Sequence, residues 1–354
     1  MNTTRLVRWS IAGVACLGVG MALAPSCAVL MPGDSYRGPL PVVTEPQGTL
    51  AEMLRRDVTF LAETIGERNL ANPPSMQHAA NYVAAELSKS GYSVRWQTYT
   101  ATTPDGQSHE VSNLEATLAG AALATEIVVV GAHYDSVNNF KGIASPGADD
   151  NASGTAAVLA IARRLAGSSH DRTVKFVLFA NEEPPYFFTD SMGSLVYARE
   201  CQRRGDAIVG MLSIETIGYY TDEKGAQDYP PLVGLAYPST GDFIAFVGMT
   251  ESEALVKRSV GAFRATAAFP CEGTAMPSLV PRIVSSDHWA FWKQGYPSLM
   301  VTDTARFRNP NYHKATDLPP TLDYERMARV VEGIEGVVRE LATEGAPPGA
   351  GGGA

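Results

Sequence analysis

The sequence predicts an α/β fold in which helices flank a central mixed, mostly parallel sheet. Three observations carry that expectation. Apolar runs of strand length alternate with helical patterns between residues 126 and 215, and strands interleaved with helices of that length need crossover connections. Four apolar runs, VVVGAHYD, VKFVLFANEE, IVGMLSIE and YPSLMVTD, end in or lead into acidic and imidazole side chains, which collect at the carboxyl ends of parallel strands in such sheets. The chain has 354 residues, 45% apolar and 18% charged, enough for one large α/β domain with a well-buried core or for two small domains.

The first thirty residues stand apart from that body. Arg5 and Arg8 precede the run WSIAGVACLGVGMALA, and no acidic residue comes before Asp34, which is the layout of an export signal. The run is short for a membrane span, which needs about 20 residues. The protein is therefore expected to be exported, with residues 1–30 either removed or kept as a membrane anchor. Pro25 disfavours a cut after Ala24, Ala28 offers another, and Cys27 after APS matches a lipid-attachment site poorly.

Between Thr49 and Lys89 the spacing of Leu50, Met53, Leu54, Leu61 and Ile65, then Ala79, Val83, Ala84 and Leu87, predicts two amphipathic helices split by NLANPPS. YSVRWQTYT and VSNLEATLAG alternate as antiparallel strands do. Strand 126–133, helix 152–166, strand 173–180, helix 189–203 and strand 208–215 follow. After Gly218 the pattern loosens into a loop, then predicts a strand at PLVGLAYP, a helix from Glu251 to Ala265, a short helix at DHWAFWKQ, a strand at SLMVTD and a helix from Leu322 to Leu341. With no internal repeat and no linker, a single domain over residues 45–343 is expected, followed by a disordered Gly/Pro tail at 344–354. Cys201 and Cys271 are the two cysteines of that body, and export leaves open whether they are bonded or separate thiols.

A net charge of -9 argues against nucleic acid as a partner. The chemistry is carried by a conjunction of individually weak signals. His133 and Asp135 are two apart at a strand end, so their side chains share a face, and a ligating imidazole commonly donates its second N–H to a carboxylate. In PGADDNASG, Pro146, Gly147 and Gly154 make a turn, Asn151 or Ser153 can cap the next helix, and an Asp can face a metal. Alone, Asp149 and Asp150 would read as first-turn acids stabilised by the helix dipole. Glu182 and Glu183 close an apolar strand and meet Pro184–Pro185, which forbid a helix. Two such acids can divide labour, one binding a metal and one taking a proton from water. Glu215 ends the next strand, and His313 sits in NPNYHKATD before the last helix. Asp287 and His288 read as support, Asp287 as a helix N-cap; His78, His109 and His170 have no comparable partner. His, Asp, Glu and Glu at successive strand ends plus a late His supply nitrogen and oxygen ligands for two zinc ions sharing one carboxylate.

These motifs, GAHYDS, PGADDNASG, ANEE, SDH and YHKATD, resemble in order and spacing those of the co-catalytic di-zinc aminopeptidases, zinc exopeptidases related to glutamate carboxypeptidase and glutaminyl cyclase, over roughly residues 50 to 342. The resemblance implies a three-layer α/β/α fold and two Zn2+ per chain. It implies that His133 and Glu215 bind one zinc, Glu183 and His313 the other, and Asp150 both. Glu182 would be the general base, Asp135 would orient His133, and Asp149, Asp287 and His288 would stand behind the ligands. Glu215 departs from the aspartate of the best-known members by one methylene. Peptides are the implied substrates and removal of N-terminal residues the implied activity. Three alternatives stay open: a glutaminyl cyclase, a catalytically inactive receptor-like domain, and carboxypeptidase action with Arg282, Arg306 and Arg308 holding a substrate carboxylate. The loops 218–230 and 266–285 are expected to line the substrate pocket, the second holding Arg282 but no tyrosine to stabilise an oxyanion.

Overall fold

The computed structural model describes residues 30–103, 105–139, 143–231 and 233–343. Residues 1–29 of the expected export segment, with Cys16 and Cys27, and the tail at 344–354 lie outside the described residues. Among the described residues no helix is long and apolar enough to cross a membrane.

Helix α1 (Glu45–Thr59) begins where Thr44 Oγ1 accepts the Gln47 N–H and the Gln47 side chain accepts the Thr44 N–H, a reciprocal cap for two otherwise free donors. After a wider turn at Phe60–Ile65, α2 (Pro73–Lys89) opens with two prolines in its first turn, where a missing N–H costs nothing. Strands β1 (Val94–Thr102) and β2 (Ser108–Leu118) pair antiparallel. The expected crossovers follow as β3 (Leu123–His133), α3 (Gly154–Leu165), β4 (Arg172–Phe179), α4 (Gly193–Arg204) and β5 (Ala207–Glu215). Then come β6 (Ile244–Met249), α5 (Glu253–Thr266), β7 (Cys271–Met276), α6 (His288–Lys293), β8 (Ser298–Thr302) and α7 (Tyr324–Ala342).

The eight strands form one sheet in the order β1-β2-β4-β3-β5-β8-β6-β7. Strands β4, β3, β5 and β8 are mutually parallel, β6 runs against β8, and β7 is parallel to β6. The fold is the expected α/β arrangement on a mixed, mostly parallel sheet. The period of two along β3 shows why it has three layers: Val128 and Val130 belong to the large core under α1, α3, α5 and α7, while Val129 belongs to a smaller core under α4 and α6.

One expected strand is absent. The described residues of PLVGLAYP form a loop with a short turn at Val233–Leu235, because Pro230, Pro231 and Pro238 withhold donors that a ladder needs. The strands at this end are β6 and β7, and β7, CEGTAM, is short and weakly apolar. Cys201 and Cys271 are separate buried thiols, one in each core.

Candidate metal centre

Because β3, β4 and β5 are parallel neighbours, their carboxyl ends form one rim. His133 is the last residue of β3, Glu215 the last of β5, and Glu182–Glu183 lie just beyond β4. Asp150 arrives from the irregular turn between β3 and α3, where Asp150 and Asn151 leave helical geometry. His313 comes from the loop between β8 and α7, held at a φ of 57°. Asn181 and Thr216, next to Glu182 and Glu215, also have positive φ, a conformation that non-glycine residues keep only where surroundings enforce it.

His133 Nε2 lies 3.4 Å from Asp150 Oδ1 and 3.2 Å from Glu215 Oε2. His313 Nε2 lies 3.0 Å from the other Asp150 oxygen and 3.3 Å from Glu183 Oε2. Two triads result, His133–Asp150–Glu215 and Asp150–Glu183–His313, with ligand atoms of each within 4.8 Å of one another. Asp150 belongs to both. His133 Nε2, both Asp150 oxygens, Glu183 Oε1 and His313 Nε2 are buried without a hydrogen-bond partner. Such orphaned atoms are costly in a folded protein, and imidazole nitrogen with carboxylate oxygen is a donor set that suits zinc. The side chains fit a pair of cations.

Glu182 is a rim acid that belongs to neither triad yet faces one of its ligands: its Oε2 is 3.9 Å from His133 Nε2 and the residue is 7% exposed. Burial, reinforced by Glu215, Glu183 and Asp287, raises its carboxyl well above the ordinary range. Burial likewise raises Glu215, and raises Glu183 to about 7 with help from Asp150. Burial opposes charge on His133 and His313, but the surrounding carboxylates prevail, lifting His133 well above its usual value and His313 to about 11. Four carboxylates around two imidazoles make a site whose charge calls for cations.

Other side chains hold this geometry. Asp135 accepts the N–H groups of Glu182 and Glu183, each at 3.1 Å, and its Oδ1 lies 3.4 Å from His133 Nδ1. Asp317 treats the other acidic pair alike, accepting the N–H groups of Asp149 at 2.9 Å and Asp150 at 3.1 Å. Asp149 accepts from Gly218 N–H and Asn309 Nδ2. Ser286 Oγ donates to Glu215 Oε2 at 2.8 Å, and Asn151 Oδ1 accepts from Gly154 N–H and Thr216 N–H. Gly154 has no room for a side chain, since a Cβ would stand 2.3 Å from Asn151 Oδ1. Behind the turn, fully buried Arg68 donates to the carbonyls of Leu61, Gly66, Tyr134, Pro146 and Gly147.

Asp317, Arg68, Asn309 and Ser286 escape sequence reasoning. Asp317 stands inside YHKATD and Ser286 before the SDH aspartate, so motif position offered a cue; a lone arginine in GERNL offered none. Asp287 sits at the head of α6 without capping it through its side chain, and its buried carboxyl is raised to about 7, chiefly by desolvation. His288 is a correction: its Nε2 pairs with the Ile283 carbonyl at 2.8 Å, bracing the loop before α6 instead of backing a ligand. The acid just beyond β8, Asp303, accepts Tyr219 and Ala305 N–H groups. Of the remaining histidines, His170 pairs with Ser168 and His78 packs edge-on against Phe60.

Tyr312 stacks on His313 with ring centroids 3.9 Å apart. Together with Glu215 it borders a cavity of about 140 Å3 whose walls include Val247, Met276, Ile283 and Met300. The two loops expected to line a pocket supply Gln227–Pro230 and Val280–Ile283 to it. Arg282 and Arg306 also reach the wall, whereas Arg308 is buried and donates to Gln227 and to the Phe243 carbonyl.

Comparison with known proteins bears on the fold and the family of the chain. The chain is 34% identical over 293 residues to the uncharacterized protein YfbL of Escherichia coli strain K12, covering 82% of this chain and 88% of that one. It is 30% identical over 224 residues to a probable leucine aminopeptidase of Arthroderma otae, covering 61% of this chain and 53% of the relative, so it spans about half of that protein's length. Among solved structures, a zinc aminopeptidase from Bacillus subtilis superposes with a TM-score of 0.64 at 16% identity, covering 87% of this chain and 97% of the other. A Fimbriiglobus ruber glutaminyl cyclase gives 0.61 at 17%, with 86% and 98% covered; at such identities the likeness is one of fold. The pattern of one family runs across residues 113–338, from β2 into α7 and through both triads, and the chain belongs to peptidase family M28.

Proposed function

We propose that this peptidase is an aminopeptidase that holds two zinc ions and removes apolar residues from peptide N-termini. The observation that carries the reading is the pair of triads sharing Asp150, with Glu182 left outside both, at the mouth of an apolar cavity. His133, Asp150 and Glu215 would hold one zinc and Asp150, Glu183 and His313 the other. Zinc bound there supplies Lewis acidity toward a carbonyl oxygen and toward water.

The chain's own groups do the rest. Glu182, whose backbone is pinned by Asp135, takes the proton of the attacking water and returns it to the leaving amine. Asp135 fixes the tautomer of His133, whose Nδ1 lies 3.2 Å from the Asp135 carbonyl oxygen and 3.4 Å from its Oδ1. The Tyr312 phenol is the candidate donor to the oxyanion, because its ring is fixed against His313 beside both triads. The cavity takes the side chain before the scissile bond. The acidic rim favours the positively charged amino terminus of a peptide over its carboxylate.

Cyclase action on N-terminal glutamine is the second reading, and the completeness of both triads favours hydrolysis over it. The first thirty residues support export, by removal or by retention as an anchor. Protein sequencing of the mature N-terminus distinguishes the two. The test of function is hydrolysis of a panel of aminoacyl p-nitroanilides by the zinc-loaded and the chelated protein. Chelator-sensitive release, fastest with leucine, methionine or phenylalanine, is expected. No release from zinc-loaded protein would refute aminopeptidase action and turn the search to carboxypeptidase and cyclase substrates.

A further inference from the structure

The loop between Glu183 and α4 places two phenylalanines at the rim. Phe187 and Phe188 have ring centroids 4.0 Å apart, and Phe188 lies 4.5 Å from Trp289 of α6. Phe188 is 50% exposed and has a φ of 64°, so a bulky side chain is kept in water on a backbone that disfavours it. Strain of that kind points toward function. Both walls of the cluster begin one hydrogen bond from the metal centre: Tyr186 N–H bonds the Glu183 carbonyl at 3.0 Å, and Trp289 N–H bonds the carbonyl of Ser286, the residue that holds Glu215, at 3.1 Å. Phe187 and Trp289 rest on the smaller core, which fixes them as a platform. The neighbouring acid Asp190 is engaged by Arg199 at 2.7 Å.

We propose that Phe187, Phe188 and Trp289 form the subsite for an apolar or aromatic side chain on the residue after the scissile bond. The inference rests on the aminopeptidase reading in one respect: Glu182 must reach the leaving amine, so the residue bearing that amine lies beside Glu182, whose own loop carries Phe187 and Phe188. The cavity bordered by Glu215 and Tyr312, whose wall includes neither phenylalanine nor Trp289, is left for the residue before that bond. Aromatic stacking against a rigid platform gives selectivity at small entropic cost.

Two measurements test this on the full chain. In the zinc-loaded protein, kcat/KM for Leu-Phe should exceed that for Leu-Gly by about tenfold or more, and Phe188→Asn, which tolerates positive φ, should bring the ratio close to one. In Glu182→Gln protein, calorimetry should show Leu-Phe binding about tenfold more tightly than Leu-Gly, with the difference lost on adding Phe188→Asn. Equal binding of the two dipeptides, or a preference that survives Phe188→Asn, overturns the subsite. If neither dipeptide is hydrolysed while the binding preference and its loss are seen, the subsite stands and the aminopeptidase reading falls.

Discussion

Each acidic pair at the rim is held by a carboxylate from a distant part of the chain: Asp135 straddles the amides of Glu182 and Glu183, and Asp317 those of Asp149 and Asp150. A carboxylate accepts at both oxygens, whereas an amide must turn an NH2 toward one of the two donors, leaving an N–H unpaired. Asp317→Asn is therefore expected to lower unfolding free energy by about 1–3 kcal/mol and to weaken zinc binding, read by denaturant titration and by metal content after dialysis. Glu182 gives the opposite separation. Glu182→Gln should cut kcat roughly 100- to 10,000-fold with metal content unchanged by atomic emission, since Glu182 stands outside both triads. A loss of metal in that variant would make Glu182 a ligand and remove it as the base.

Elements that obey local rules were legible in the sequence; those fixed by packing were not. The apolar run VVVGA and the apolar spacing from Leu50 to Leu61 are decided by neighbouring residues, so β3 and the body of α1 needed no knowledge of the fold, although the Thr44–Gln47 cap starts α1 at Glu45, ahead of the expected Thr49. Strand β7 is decided by pairing: Gly273 and Thr274 oppose Phe246 and Val247 of β6, and nothing in CEGTAM shows that. His133, Glu183 and Glu215 were readable because parallel strands must deliver their ends to one rim, whereas Asp150 and His313, on a turn and a loop, were pointed to by the motifs of the family resemblance. The clamp Asp317 and the brace Arg68 were not, since they act across more than sixty residues of sequence, on Asp149 and Tyr134. At this scale Thr44→Ala should destabilise α1 and the domain by about 1 kcal/mol, measured by thermal melting. The sheet also carries a pH-dependent contact. Burial raises the Glu115 carboxyl of β2, but Lys175, the Tyr197 hydroxyl and Arg95 together draw it below its ordinary value. Its contribution is fully present above the unfolded pKa of about 4.3 and is lost as pH falls through the lower folded value. The destabilisation caused by Glu115→Gln should accordingly shrink on acidification below about pH 4, and a cost constant with pH would show that packing alone is involved.

For the whole molecule, the metal centre is a joint between separately built parts. The triads draw on the ends of β3 and β5, the turn beyond β4, the turn before α3 and the loop before α7. Arg68, anchored between α1 and α2, reaches the same turn through Pro146 and Gly147. Without cations, the chain must bury Asp150, Glu182, Glu183 and Glu215 together, an arrangement that self-repulsion and desolvation oppose. Ligands that bind only the folded chain stabilise it, by about 2.7 kcal/mol when present at 100 times Kd. At the low end of about 2 °C per kcal/mol for a large domain, each filled zinc site should raise Tm by about 5 °C. Chelation should lower Tm by that increment in one or two steps, and zinc should restore it. His313→Ala removes a ligand from one triad while leaving His133, Asp150 and Glu215 in place, so its zinc-dependent rise in Tm should be about half that of the unaltered protein, with about one metal per chain. A full rise in that variant would place the stabilising metal at the His133 side alone, and the absence of any rise would mean that neither position binds unless the other is filled.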